Sequence, residues 1–338
     1  MKSIAFFNNK GGVGKTTLLC NIASFLSVRE DKRVLIIDAD PQCNASIYLM
    51  EENNYIDFYE NDKNKTLYDI IRPLQKGKGY YTENLPIIRS ENFHVDFIPG
   101  DTRLAIMEDF LSKDWIEAKS VEQRGFQTTF VIKDIIDKVK DNYDYILFDV
   151  GPSLGAINRI VLLACDFFII PMSSDIFSIK AVENISQTLS FWVDDIKRSL
   201  TSEVNQNDPF LLNGHSPSVN LHFLGYVKQQ YTPKTINGEK RPVKAYERIL
   251  KKIPDVIKKR MYNFYTPYDI DNFELGEIPN YNSLIPLSQD ASKPIFLLNA
   301  KDGVVGAHFA KVHEFESVLD SIKQKIYNNI SSYDKLAE

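Results

Sequence analysis

Lys10-Gly11-Gly12-Val13-Gly14-Lys15-Thr16-Thr17 has the residue types and spacing that bind phosphate. Glycines let a backbone turn tightly and aim successive N–H groups at one point. A helix starting behind them adds its positive dipole end. Lys15 is placed to reach the β- and γ-phosphates of a nucleotide, and the Thr16 hydroxyl to ligate Mg²⁺. Two carboxylates elsewhere fit the same chemistry. Asp38 ends the apolar run Val34-Leu35-Ile36-Ile37, and Asp149 ends Tyr145-Ile146-Leu147-Phe148. Asp149 has the place of the strand-end acid that meets the magnesium assembly in phosphoryl transfer. Taken alone, an acid after a strand is also a common turn cap.

No second catalytic system competes with this one. His94, His215, His222, His308 and His313 are scattered, and none stands near Cys or carboxylates at metal-ligand spacing. No G-x-S-x-G elbow occurs. Cys20, Cys43 and Cys165 are odd in number and widely spaced, which argues against a disulfide framework and leads us to expect a reducing cytoplasm. No apolar run approaches 18 residues, so no membrane span is expected. Met1-Lys2-Ser3 enters a strand directly, so no leader peptide is expected ahead of it.

These residues need a scaffold to bring them together. Apolar strands are expected at about 3–7, 33–38, 93–98, 144–149, 166–171 and 221–227, with helical patterns between most of them. That alternation predicts an α/β fold: a doubly wound, mainly parallel sheet with helices on both faces. Ligand sites in such sheets lie at the carboxyl ends of strands, where Lys10, Asp38 and Asp149 all fall. We read 1–338 as one domain with extra segments at about 194–220 and 231–275. Asn205-Gln206-Asn207-Asp208 and Asn213-Gly214-His215-Ser216-Pro217 read as loop. From Lys228 to Arg260 there are eleven Lys/Arg against Glu239, Glu247 and Asp255, a segment of +8 in a chain of net charge −5. Ala245 to Arg260 has helical character interrupted by Pro254. Such charge asymmetry suits contact with a phosphate backbone, through Lys251, Lys252, Lys258, Lys259 and Arg260, and equally a solvated basic helix. Val312, Phe315, Val318, Leu319, Ile322 and Ile326 repeat at helical spacing. The mixed charge opposite them predicts a last helix packed on the sheet rather than one lying in a membrane interface.

The usual phosphate loop reads G-x-x-x-x-G-K-[ST]. Here Asn9 stands at the first glycine and Lys10 follows, giving the deviant Walker A form xKGGxxK[ST]. With Asp38-Ala39-Asp40-Pro41-Gln42-Cys43-Asn44 and Asp149-Val150-Gly151-Pro152-Ser153-Leu154-Gly155, the chain resembles the ParA/MinD family of P-loop ATPases, and within it the ParA/Soj-type partition ATPases. Thr66 to Ile71, Val95 to Gly100, Ile169-Ile170-Pro171, Gly225-Tyr226-Val227, Ile278-Pro279-Asn280 and Ser292 to Ile295 extend the likeness, well over 1–230 and loosely over 276–325. Cys43 replaces a family glycine and Gly151 a family proline.

The resemblance implies ATP and Mg²⁺ as cofactors. It implies that Lys10 acts in trans across a dimer and Lys15 in cis. Asp40 would orient the attacking water, Asp38 would support the magnesium shell and Asn158 would lie near the nucleotide. Backbone near Pro279 and Asn280 would contact adenine, with Gln229 as another candidate. The implied function is an ATP-dependent sandwich dimer that binds DNA nonspecifically and hydrolyses ATP, stimulated by a ParB-like partner, to drive DNA partition or positioning. The alternatives on this scaffold are a MinD-like or accessory positioning ATPase with a non-DNA cargo and an ATP-dependent metabolic ligase. An iron–sulfur reductase would need paired cysteines at a dimer axis, and Cys165 has no second cysteine after it.

Overall fold

Runs such as Ile4-Ala5-Phe6 and Ile146-Leu147-Phe148 are apolar at every position, the pattern of strands covered on both faces. In the computed structural model they lie at the centre of an eight-stranded sheet. The structure describes residues 1–173, 175–205, 209–231, 234–236, 239–241, 251–265, 273–281 and 283–337.

The strands are β1 Lys2–Phe6, β2 Val34–Asp38, β3 Ile88–Ser90, β4 Val95–Ile98, β5 Tyr145–Asp149, β6 Phe167–Ser173, β7 His222–Tyr231, β8 Lys234–Ile236, β9 Glu239–Arg241 and β10 Glu274–Pro279. The helices are α1 Lys15–Glu30, α2 Asn44–Leu49, α3 Glu52–Glu60, α4 Leu67–Gln75, α5 Leu104–Lys119, α6 Gln123–Thr129, α7 Val131–Val139, α8 Ala156–Ala164, α9 Ile176–Asn205, α10 Ile253–Arg260, α11 Leu284–Asp290 and α12 His308–Ala337. Strand order in the large sheet is β10-β7-β6-β1-β5-β2-β4-β3, and β8 pairs with β9 apart from it. Every neighbouring pair in the large sheet is parallel except β3 with β4.

Alternate side chains of the central strands feed two cores. Ala5, Leu35, Ile37, Ile146 and Phe148 pack with residues of α4 to α10 on one face. Ile4, Phe6, Ile36 and Leu147 pack with α1, α2, α11 and α12 on the other. The doubly wound fold expected from the sequence is the fold observed. On α12, Val312, Phe315, Leu319, Ile322 and Ile326 are buried in the second core, so the last helix does pack on the sheet.

Some local expectations change. Strand β4 begins at Val95 and not at residue 93, because His94 takes a left-handed φ of 56° in the turn before it. The antiparallel edge strand β3 has only three residues, too few for its alternation to be read. Residues 194–205 continue α9. Residues 209–221 are irregular, with one bridge between Leu212 and His215. Helix α10 starts at Ile253 and carries Pro254 in its first turn, where a missing N–H costs nothing, so the proline opens the helix instead of interrupting it. The expected helical stretch from Ala245 to Leu250 lies outside the described residues.

Candidate nucleotide site

The sheet order explains the convergence. β5 lies between β1 and β2, so three strand ends stand side by side. Asp149 is the register partner of Phe6 on one side and of Asp38 on the other. The loop leaving β1 carries Lys10 to Gly14 and runs into α1. Gly12 and Gly14 adopt φ of 69° and 75°, a region that disfavours a β-carbon. A β-carbon at Gly14 would lie 2.2 Å from Gln229 Oε1. Gln229 Nε2 donates to the Gly14 carbonyl at 3.2 Å, so Gln229 supports the loop from β7.

These elements open onto a cleft of about 710 Å³ lined by residues 11–17, Asp40 and Pro152. Lys15 is buried, and burial lowers its pKa against the opposing charges of Asp149 and Asp40. Thr16 Oγ1 donates to Asp149 Oδ2 at 2.7 Å. Asp149 Oδ1 is buried with no hydrogen-bond partner among the described residues. Asp38 is fully buried and accepts from Ser46 N at 2.8 Å, Ser46 Oγ at 2.7 Å and Asp40 N at 3.3 Å. Asp38 therefore ties β2 to the start of α2 and holds the intervening loop. Asp40 Oδ1 accepts from Gln42 N at 2.9 Å. A β-carbon on Gly151 would lie 3.1 Å from that same oxygen, so glycine in place of the family proline gives Asp40 room. Cys43, at the start of α2, is buried with a φ of 54°, which is the backbone reason glycine is the family residue there.

The donor set suits Mg²⁺. It offers a threonine hydroxyl, an orphaned buried carboxylate oxygen and a second carboxylate one strand away, all hard oxygen groups. Thr16 and Asp149 would hold the ion, with Asp38 behind them, and the bound ion would neutralise charge on the phosphates.

Burial pushes the pKa of Asp38 up to about 7, against its hydrogen bonds from Ser46. Burial, with the neighbouring charge of Asp38, pushes Asp149 up to about 8. Both folded values exceed the ordinary carboxylate range, so between about pH 4 and 8 the native state binds more protons than the unfolded chain. Without metal or nucleotide, stability is then expected to fall as pH rises through that window. Thermal midpoints from pH 5 to 8 test this. Asp149→Asn should flatten the profile, and an unchanged profile in that variant would refute the assignment.

Other expected residues fall elsewhere. Asn158 is buried and its Nδ2 donates to Gly151 O at 2.7 Å and Ser153 O at 2.6 Å, so it braces the loop after β5. Pro279 and Asn280 do not line the cleft. They end the edge strand β10, with β7 and β6 between it and β1, roughly 14 Å away at ordinary strand spacing. The outer cleft is instead lined by Tyr55 and Glu52 of α3 and by Gln289, Asp290 and Ser292 at the end of α11. No local motif marks these. They arrive through a buried network in which Asn21 Nδ2 donates to Tyr48 Oη at 3.1 Å and Ser292 Oγ donates to Met50 O at 2.7 Å. Lys10 Nζ reaches Ser173 and Asp175, which leave the end of β6. The strand-end rule could have found that pair.

Lys251, Lys252, Lys258 and Lys259 are exposed on α10 and the turn before it. The inner side of α10 is apolar, with Ile253 and Ile257 in the core. Arg260 is paired with Glu183 of α9 at 2.9 Å. Beside them Tyr262 and Phe191 are 63% and 67% exposed, a basic surface with aromatic rings at its border. Among the described residues no helix is long and apolar enough to cross a membrane.

A glycine-rich strand-to-helix loop with a following lysine and threonine, flanked by strand-end carboxylates on a parallel sheet, defines a P-loop NTPase. A family model described as an AAA domain matches residues 1–202. An uncharacterized protein of Methanocaldococcus jannaschii is 32% identical over 250 residues, covering 71% of this chain and 87% of that protein. The sporulation initiation inhibitor protein Soj of Bacillus subtilis is 34% identical over 190 residues, covering 56% of this chain and 64% of Soj. The match thus spans just under two thirds of Soj's own length. A crystal structure of a protein from Corynebacterium diphtheriae aligns with TM-score 0.70 at 32% identity, covering 86% of this chain and 97% of that one. The chain belongs to the ParA/MinD family of P-loop ATPases.

Proposed function

We propose that this protein is a ParA-type partition ATPase. Two copies close face to face over ATP and Mg²⁺, bind DNA nonspecifically in the closed state, and separate after hydrolysis stimulated by a ParB-like partner. One observation carries the reading: two lysines of the loop after β1 and the acids Asp38, Asp40 and Asp149 gather at three adjacent strand ends. Lys15 and the loop amides bind the phosphates, Thr16 and Asp149 hold Mg²⁺, and Asp40 orients the attacking water. Lys10 stabilises charge on the transferring phosphoryl group of the other subunit. A closed state held by γ-phosphate contacts is lost on hydrolysis, which makes the dimer a switch. The exposed lysines of α10 and its preceding turn form the DNA surface. The cytoplasm, on the nucleoid, is the expected location.

The deciding experiment is binding to random-sequence duplex DNA with ATP–Mg²⁺, with ADP–Mg²⁺ and without nucleotide, using Asp40→Ala to slow turnover. Binding is expected only with ATP and should weaken steeply with salt. Changing Lys251, Lys252, Lys258 and Lys259 together to Ala should make the logarithmic salt slope shallower by about 3.6 for each subunit in contact with DNA. Equal binding in all nucleotide states would refute the switch. An unchanged slope would remove α10 as the surface. No binding in any state would favour a positioning ATPase with another cargo.

A further inference from the structure

The lysine assigned to the partner's phosphates is held within its own subunit. Lys10 Nζ donates to Ser173 Oγ at 2.8 Å and to Asp175 Oδ2. Ser173 Oγ donates to the same Asp175 oxygen at 2.8 Å, so the three groups close a triangle. The other oxygen of Asp175 accepts from Ser178 N at 3.1 Å, in the first turn of α9. Asp175 thus stands between β6 and α9, with one oxygen on the helix and one on the lysine. Sheet register brings the two loops together. β6 pairs with β1, and Phe7 N donates to Ile169 O at 2.9 Å just before the Lys10 loop leaves the sheet. The side chains of Lys10 and Asp175 are 33% and 28% exposed, so an incoming anion can reach the pair.

We propose that Asp175 is a positioning residue for Lys10, keeping it in cis until the phosphates of a partner subunit displace it. The proposal rests on the reading of Lys10 as a residue acting in trans. One ammonium cannot hold Asp175 and also cross to another subunit's nucleotide. The exchange replaces a single carboxylate by a polyphosphate, whose greater charge favours transfer when the γ-phosphate is present. Closure of a symmetric dimer must break the contact twice. A partly exposed ion pair shifts an equilibrium about threefold, so the two together oppose closure about tenfold. Asp175 would then set how much ATP the protein requires before it dimerises.

Asp175→Asn removes the charge and keeps an oxygen to cap α9. Two measurements decide the matter. The first is acylation of Lys10 by an amine-reactive reagent in the nucleotide-free protein, followed by mass spectrometry. Asp175→Asn should raise the rate severalfold, and Asp175→Glu should restore protection. The second is sedimentation across a series of ATP–Mg²⁺ concentrations. Two ATP bind per closed dimer, so Asp175→Asn should dimerise at about threefold lower ATP than the wild type. An unchanged acylation rate would show that the contact does not hold Lys10, and unchanged or weaker dimerisation would show that it does not oppose closure. Either result overturns the proposal. Lys10→Ala, run alongside, separates the two levels: if it dimerises like the wild type, the trans reading itself has failed. If it stays monomeric while Asp175→Asn behaves as wild type, only the role of Asp175 is lost.

Discussion

Lys10→Ala is expected to lower ATP turnover about a thousandfold and to leave the protein monomeric in ATP–Mg²⁺. A cation delivered to the transferring phosphoryl group acts where charge develops in the transition state, and it acts there without solvent rearrangement. In the proposed dimer the lysine would also link the two subunits, so its loss would remove a contact made only in the closed state. Folding should be little affected. The side chain is partly exposed and its contacts are with Ser173 and Asp175, so stability is expected to stay within about 0.5 kcal/mol of the wild type. Phosphate release and sedimentation measure the two effects. Mixing Lys10→Ala with Asp40→Ala gives a sharper check. Their heterodimer contains one complete site, built from the Asp40 of one subunit and the Lys10 of the other. Turnover should return on mixing two inactive proteins. Failure to return, with heterodimers present, would rule out action in trans.

Asp40→Ala is expected to lower turnover by about 10²–10⁴-fold while leaving ATP binding within a few fold of the wild type. Asp40 is nearly buried at the mouth of the P-loop, its Oδ1 fixed by the Gln42 amide. No hydrogen bond among the described residues joins it to the loop that would bind the phosphates, so ground-state binding should survive its removal. The variant should accumulate as an ATP-bound dimer, with the closed state visible by sedimentation and no phosphate burst. Asp40→Asn keeps the shape and the Gln42 contact, and should be nearly as slow if the carboxylate charge matters. Near-normal turnover in both variants would remove Asp40 from the reaction and direct attention to the acids at the base of the cleft, Asp38 and Asp149.

Charge counting could find the basic segment, since eleven cations between Lys228 and Arg260 stand out in an acidic chain. It could not tell that Arg260 is spent on Glu183, because that pairing joins α10 to α9 across a large gap in sequence. The four lysines that remain exposed are therefore the better probes of phosphate contact.

The phosphate loop, the strand-end acids and the doubly wound sheet follow from local chemistry. Loop geometry is set by glycines within a few bonds of one another, and fully apolar runs have no place in a half-exposed sheet. Strand order alone decided that Asp38 and Asp149 would be neighbours, because β5 inserts between β1 and β2 although 106 residues of chain separate Asp38, the end of β2, from Tyr145, the start of β5. Sequence likeness directed attention to Pro279 and Asn280, and only the strand order shows that they end the edge strand, with β7 and β6 between them and β1. Asn158, a suspected nucleotide neighbour, spends its amide on the loop after β5. Cys43 could be noticed as a departure from glycine, and only its left-handed backbone shows what the departure strains. By itself, then, the sequence determined which chemical groups are available and which fold they need. Tertiary structure decided their partners: Gln229 beneath Gly14, α3 and α11 around the outer cleft, and Asp175 on Lys10. The physical reason is that a hydrogen bond or ion pair depends on a few ångströms of separation, and for residues far apart in the chain that separation is fixed by packing and register.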